Sequence, residues 1–206
     1  MNRATRAAAV GLSIYAGVTA LIHGIFEILQ GGHAPDGLMI QAMGPACQPE
    51  TVWHACLPAM TVIPGYLVSG IVVVLLSAAL IVWSLVYAGR RFGSVGLFVL
   101  SIGLLPVGGG FVPVWIGLLG AVTATQIRRE LGEKAPGGFG RSMAGLWPGI
   151  LLVLAAWLPL SWILGWLLPG VMLALSMVLF ILMDILLPLL TALAGNAYDR
   201  VKKYKK

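Results

Sequence analysis

All thirteen lysine and arginine residues of this 206-residue chain fall into four short clusters. These are Arg3 and Arg6; Arg90 and Arg91; Arg128, Arg129, Lys134 and Arg141; and Arg200, Lys202, Lys203, Lys205 and Lys206. Long apolar stretches separate them. Basic residues beside membrane segments are retained on the cytoplasmic side, so all four clusters belong on one face. Neighbouring clusters must then be separated by an even number of crossings, and each apolar interval has room for two. The expected fold is an all-α integral membrane protein: one bundle of six transmembrane helices with both termini in the cytoplasm.

Composition agrees. The chain is 59% hydrophobic and 10% charged, with mean hydropathy +0.97. Soluble domains carry roughly 25% charged residues, so a water-soluble fold is excluded. A net charge of +6 and a pI near 9.7 would suit nucleic acid, but the basic residues flank spans and form no groove. Their expected partners are the bilayer of the inner membrane and its anionic headgroups, with no nucleic acid. Arg3 and Arg6 ahead of an apolar run resemble a signal-peptide n-region. The run extends over residues 7–29, however, beyond the roughly 7–15 residues of an h-region, and reads as a retained first helix.

Helix 1 is expected over residues 7–30 and helix 2 over 61–88, joined by an outer loop, 31–60, without Lys or Arg. A single helix over 93–127 would be about 52 Å long against a core of about 30 Å, and would put Arg90 and Arg128 on opposite faces. The run Leu105-Pro106-Val107-Gly108-Gly109-Gly110 breaks it, since glycine and proline are poor helix interiors. Two short helices, 94–107 and 111–127, follow, joined by a tight outer turn; a re-entrant hairpin is the alternative. Helix 5 is expected over 143–166 and helix 6 over 171–194. Pro188 should kink helix 6 and Gly195-Asn196 should stop it. Trp147, Trp157, Trp162 and Trp166 suit interfacial anchoring and packing.

Three residues of the predicted spans could carry chemistry. His23 and Glu27 are four apart on helix 1 and share a face. They read either as a metal, proton or substrate site, or as a polar clamp in which His23 bonds Glu27 and Glu27 bonds the loop backbone. Asp184 falls near the middle of helix 6 with no basic residue expected at its depth. An ionisable group in a span costs about 2.5–3.5 kcal/mol on insertion scales, so it faces a partner or a wet cavity. Asp184 is either a proton or cation site or a protonated, hydrogen-bonded structural acid.

The outer loop adds Cys47 and Cys56, which on an oxidising face most simply form a disulfide. Reduced, they would join His33 and His54 with Met39, Met43 and Met60 as a soft ligand set for copper or zinc. Met39 and Met43 otherwise read as the apolar side of a short interfacial helix. No phosphate-binding glycine loop, G-x-S-x-G elbow or H-E-x-x-H is present.

The stretches His23-Gly24-Ile25-Phe26-Glu27-Ile28-Leu29-Gln30-Gly31 and Trp53-His54-Ala55-Cys56-Leu57-Pro58-Ala59-Met60 resemble a group of small prokaryotic multi-pass membrane proteins with no assigned activity. The resemblance covers helix 1 through helix 4, about the first 125 residues. It implies that the His23/Glu27 helix end and the outer loop act as one unit. The functional expectation is ion or small-solute handling, or an accessory role beside a membrane-protein partner or a second copy, with an outward polar site at His23, Glu27 and Asp184. The alternative is a membrane-embedded enzyme or metal-handling protein with a Cys/His site outside the membrane. No cofactor is identified.

Overall fold

The computed structural model describes residues 1–41, 57–132 and 136–204. It is mostly helical: α1 Arg3–Leu29, α2 Tyr66–Tyr87, α3 Gly93–Leu104, α4 Phe111–Thr125, α5 Gly138–Gly145, α6 Gly149–Leu167, α7 Pro169–Ala174 and α8 Ser176–Tyr204. A two-stranded antiparallel ribbon, β1 Met39–Gln41 and β2 Pro58–Met60, precedes α2. Four helices, α1, α2, α6 and α8, are long and apolar enough to cross a membrane.

The distribution of side chains is inverted relative to a soluble protein. Leu75, Val99, Leu152, Ile163, Met177 and many other large apolar residues are exposed, whereas Ser13, Ser69, Ser77, Ser101, Thr123, Ser161 and Thr191 are buried. Lipid is as apolar as leucine, so burying leucine gains little there, and small residues that admit close backbone contact hold helices together instead. Several buried hydroxyls cost nothing in unmet hydrogen bonds because each donates to its own helix. Ser101 bonds Leu97 O at 2.7 Å, Thr123 bonds Leu119 O at 2.7 Å and Thr191 bonds Leu187 O at 2.8 Å.

Helix α1 is the hub, packed against α2, α4, α6 and α8. Its tightest crossing is with α2, where a methyl group on Gly70 would lie 2.5 Å from the Gly24 carbonyl oxygen and 2.7 Å from the Ile28 nitrogen. Only hydrogen fits. Gly120 of α4 approaches Ser13 and Ala9, and Gly195 of α8 approaches Ala4 and Ala8. Gly195 was expected to stop a helix, but α8 continues past it to Tyr204. The glycine serves the close approach to α1, and the last turns are held by their contacts at that end.

Those contacts gather the basic clusters. Asp199 accepts from Ala4 N at 3.2 Å, Thr5 N at 2.8 Å and Thr5 Oγ1 at 2.8 Å, so a carboxylate from α8 caps the first turn of α1. Free N–H groups and the positive dipole end favour such an anion. Asn2 N donates to Ile127 O at 2.8 Å and Asn2 Nδ2 to Gln126 O at 2.8 Å. Lys203 Nζ donates to Leu131 O at 2.8 Å, and Gly89 packs beside Arg6 and Met1. The described members of all four clusters therefore lie at one end of the bundle, Arg90 and Arg128 together.

Other expectations are corrected. Helix 5 begins earlier and in two pieces: α5 ends at Gly145, and α6 starts only after Pro148, which lacks the N–H a continuous helix would use. Met39 lies in β1, so it is not in an interfacial helix. Trp157 is buried in the core, whereas Trp166 is 82% exposed, as an anchor would be.

Gly70→Leu should lower stability in detergent by about 1–3 kcal/mol through forced separation of α1 and α2. Gly103→Ala, whose added methyl would meet nothing nearer than Leu76 at 3.9 Å, should be neutral or mildly stabilising in the same unfolding assay.

Candidate functional site

Helices α3 and α4, of 12 and 15 residues, extend only about 18 and 22 Å. Their connecting turn therefore stops short of the C-terminal end of α1 and the start of α2. Backbone groups left at that depth would have no water to bond. The segment after β2 descends to meet them: Gly108 N donates to Met60 O at 2.7 Å, Val62 N to Pro106 O at 2.8 Å, and Thr61 bridges Val107. A relay of hydroxyls fixes the junction. Ser69 Oγ of α2 donates to Val107 O at 2.6 Å, which leaves Thr61 Oγ1 as donor in its 2.9 Å contact with Ser69.

Beneath this junction lie His23 and Glu27. Both point inward, His23 with 5% exposure and Glu27 with none. Gly108 and Gly110 adopt φ of +103° and +81°, a region that L side chains rarely enter. A side chain on Gly108 would collide with the Glu27 carboxylate, and one on Gly110 with the His23 ring. The glycine turn is thus a lid in direct contact with both.

The polar clamp is not formed. Among the described residues neither Glu27 oxygen has a hydrogen-bond partner, and His23 Nδ1 has none. Ser69 lies near the Glu27 carboxylate, but its proton is donated to Val107 O. A buried group without a partner costs about 1–3 kcal/mol, more when charged. No Lys or Arg can relieve this, since those of the described residues sit at the opposite end; Arg6 is 21 residues from Glu27, about 32 Å along α1.

Asp184 lies deeper, 7% exposed, in a π-helical stretch Phe180–Leu186 within α8. The Leu187 N–H reaches back five residues to Leu182 O. Pro188 has no N–H with which to close the α-helical bond to the Asp184 carbonyl, so the wider turn follows from sequence. Single π turns recur at functional sites.

His23 and Asp184 line one cavity of about 40 Å³. Tyr15 and Thr19 of α1, Ser161 and Trp162 of α6, Pro113 of α4 and Leu57 of the outer segment complete the polar and outer parts of its wall. Along α1 it runs from Tyr15 to His23, about 12 Å. The volume holds roughly three water molecules. Trp162 stacks on Phe26 at 6.2 Å between ring centroids, tying α6 to α1 at the cavity. Glu27 is not part of the cavity wall; it sits one turn outward of His23, under Gly108.

The predicted trio is therefore split. His23 joins Asp184 in the cavity and neighbours Glu27 on the helix, and is the only one of the three common to both settings. Tyr15, Thr19 and Ser161 were missed, because nothing in sequence links α1 to α6 at that level. His33 is exposed, with Nδ1 2.6 Å from Gln30 O, and among the described residues no group of three metal-binding side chains forms. Cys47, Cys56 and His54, and with them the disulfide and the Cys/His metal site, lie outside the described residues. No protein-family model, curated protein or solved structure matches the chain.

Gly108→Ala should destabilise the protein by about 1–3 kcal/mol. Glu27→Ala should recover part of that loss, a positive coupling in a double-mutant cycle of unfolding free energies. Simple additivity would mean that the turn and the carboxylate do not touch.

Proposed function

We propose that this is a six-pass protein of the inner membrane, both termini cytoplasmic, that takes protons or a small cation from the outer face to Asp184 through the cavity beside His23. The observation that carries the reading is the shared cavity: an imidazole and a carboxylate face the same small space, which reaches Leu57 in the outer segment. Asp184 has no basic partner at its level, and Arg200 is 16 residues away along α8, about 24 Å. Intramembrane acids in that situation serve ion and proton pathways by default. Two helical crossings per basic interval, with α3 and α4 completing the third and fourth, suit the gathering of the clusters at one end.

In this mechanism His23 stands between the outer segment and Asp184 and passes protons or orders water, since neutral imidazole both donates and accepts. Tyr15, Thr19 and Ser161 supply hydroxyls along the wall. Glu27, one turn outward of His23 and under the glycine lid, adds a second carboxyl group near the path. Deeper entry would need the packing below Tyr15 to open.

Proteoliposomes with an entrapped pH indicator, and the same vesicles assayed with radioactive Na⁺ and K⁺, test the reading. Asp184→Asn should abolish the flux, and Glu27→Gln should reduce it severalfold. Wild-type protein that carries none of the three cations above protein-free vesicles overturns the proposal; so does flux unaltered by both substitutions. An inactive protein that copurifies with a stoichiometric membrane partner would instead favour the accessory-subunit reading.

Topology has its own test. In a background lacking Cys47 and Cys56, Arg90→Cys and Arg128→Cys should both react with an impermeant maleimide from the cytoplasmic side. Labelling from opposite compartments would break the six-pass arrangement.

A further inference from the structure

At the basic end, α4, α5 and α8 enclose a groove of about 560 Å³, within the range of sites that hold small organic ligands. Its composition changes along its length. Arg129, just beyond α4, and Arg200 of α8 stand at the rim, and both are exposed. Leu119 and Leu193 line the deeper part, with Phe139 and Met143 of α5 forming the outer wall. Leu193 is seven residues before Arg200, about 10 Å deeper along α8. No carboxylate lines the groove among the described residues.

We propose that this groove binds one anionic phospholipid, its phosphate held by Arg129 and Arg200 and one acyl chain laid along Leu119 and Leu193 beneath Phe139 and Met143. Guanidinium groups match phosphate oxygens in a planar, two-point contact that a compact ammonium cannot reproduce. A free phosphate would use the rim and leave the apolar depth unfilled. A neutral acyl compound would do the reverse. Only a ligand with both ends uses both parts, and basic pockets between helices on the cytoplasmic side are where anionic headgroups collect. Another large hollow at this end is lined by Arg3, Lys202 and Lys203 but also by Asp199, whose carboxylate caps α1 and offsets part of that positive charge.

The site is independent of the outer cavity. Failure of cation flux leaves the lipid proposal untouched, and the reverse holds.

The test uses the full chain in a neutral detergent, with thermal unfolding followed as lipid is added. Phosphatidylglycerol should raise the midpoint saturably; phosphatidylcholine and inorganic phosphate at equal concentration should not. Arg129→Gln with Arg200→Gln should weaken the apparent affinity by about tenfold or more, while Arg90→Gln with Arg91→Gln, an equal loss of charge elsewhere, should leave it unchanged. If the first pair does not fold, Leu193→Trp carries the test by filling the groove and should weaken binding alike. The proposal is overturned by a phosphatidylcholine shift of equal size, by a shift with phosphate alone, by equal loss in both arginine pairs, or by unaltered affinity in Leu193→Trp.

Discussion

The close approach of α1 to its neighbours organises the bundle. In hydrocarbon there is no water to squeeze out between helices, so what remains is dispersion, which falls steeply with distance. Gly24 and Gly70 let α1 and α2 approach closely, each lacking the Cβ that would strike the other helix's backbone or the Val73 and Ile28 side chains. Gly120 and Gly195 do the same for α4 and α8 against Ser13, Ala4 and Ala8. With these contacts in place, the inner face of α1 is packed against its neighbours except along the cavity between Tyr15 and His23, and His23 and Glu27 near its C-terminal end are carried into the interior with it. A bulkier residue at any of these positions would separate the helices before it disturbed the site.

Sealing α1 creates a polar problem that the rest of the fold manages unevenly. Several hydroxyls bond their own helices while Ser13 and Ser77 have no partner, the α1 start is capped by Asp199, and the short α3–α4 hairpin is completed by the segment around Thr61. Against that background, the unpartnered Glu27 oxygens and His23 Nδ1 stand out. Unlike Ser13 and Ser77, these two residues are ionisable, so a missing partner costs more there. The glycine turn at Gly108–Gly110 covers both residues on one side, and the cavity toward Asp184 leaves room for water beside His23 on the other.

The sequence was most legible where a single helix carried the signal. Helices 1, 3 and 4 have counterparts in α1, α3 and α4 because long apolar runs and the Pro106–Gly110 break are local features, whereas α2 starts at Tyr66, five residues later than expected, after residues 58–60 pair in the ribbon. The inward orientation of His23 and Glu27 was also readable, since polar side chains avoid lipid. Legibility failed at Gly195, at Pro148 and in the outer loop. Gly195 looks like a stop because glycine has two uses, ending a helix and admitting a neighbour, and the neighbour, α1, is nearly 190 residues away in sequence. The β1–β2 ribbon was missed because strands of three residues have no usable periodicity.

By itself, the order of residues determined which segments are apolar, where they break, and that the basic side chains share a face, because hydropathy and charge act on each segment separately. It also left the segments that carry Glu27 and Asp184 without a Lys or Arg of their own. Only the tertiary structure decided that His23 and Asp184 share a cavity while Glu27 lies under a glycine turn. Such placement depends on how deeply three helices sit against α1, and that depth is set by contacts between atoms far apart in the chain.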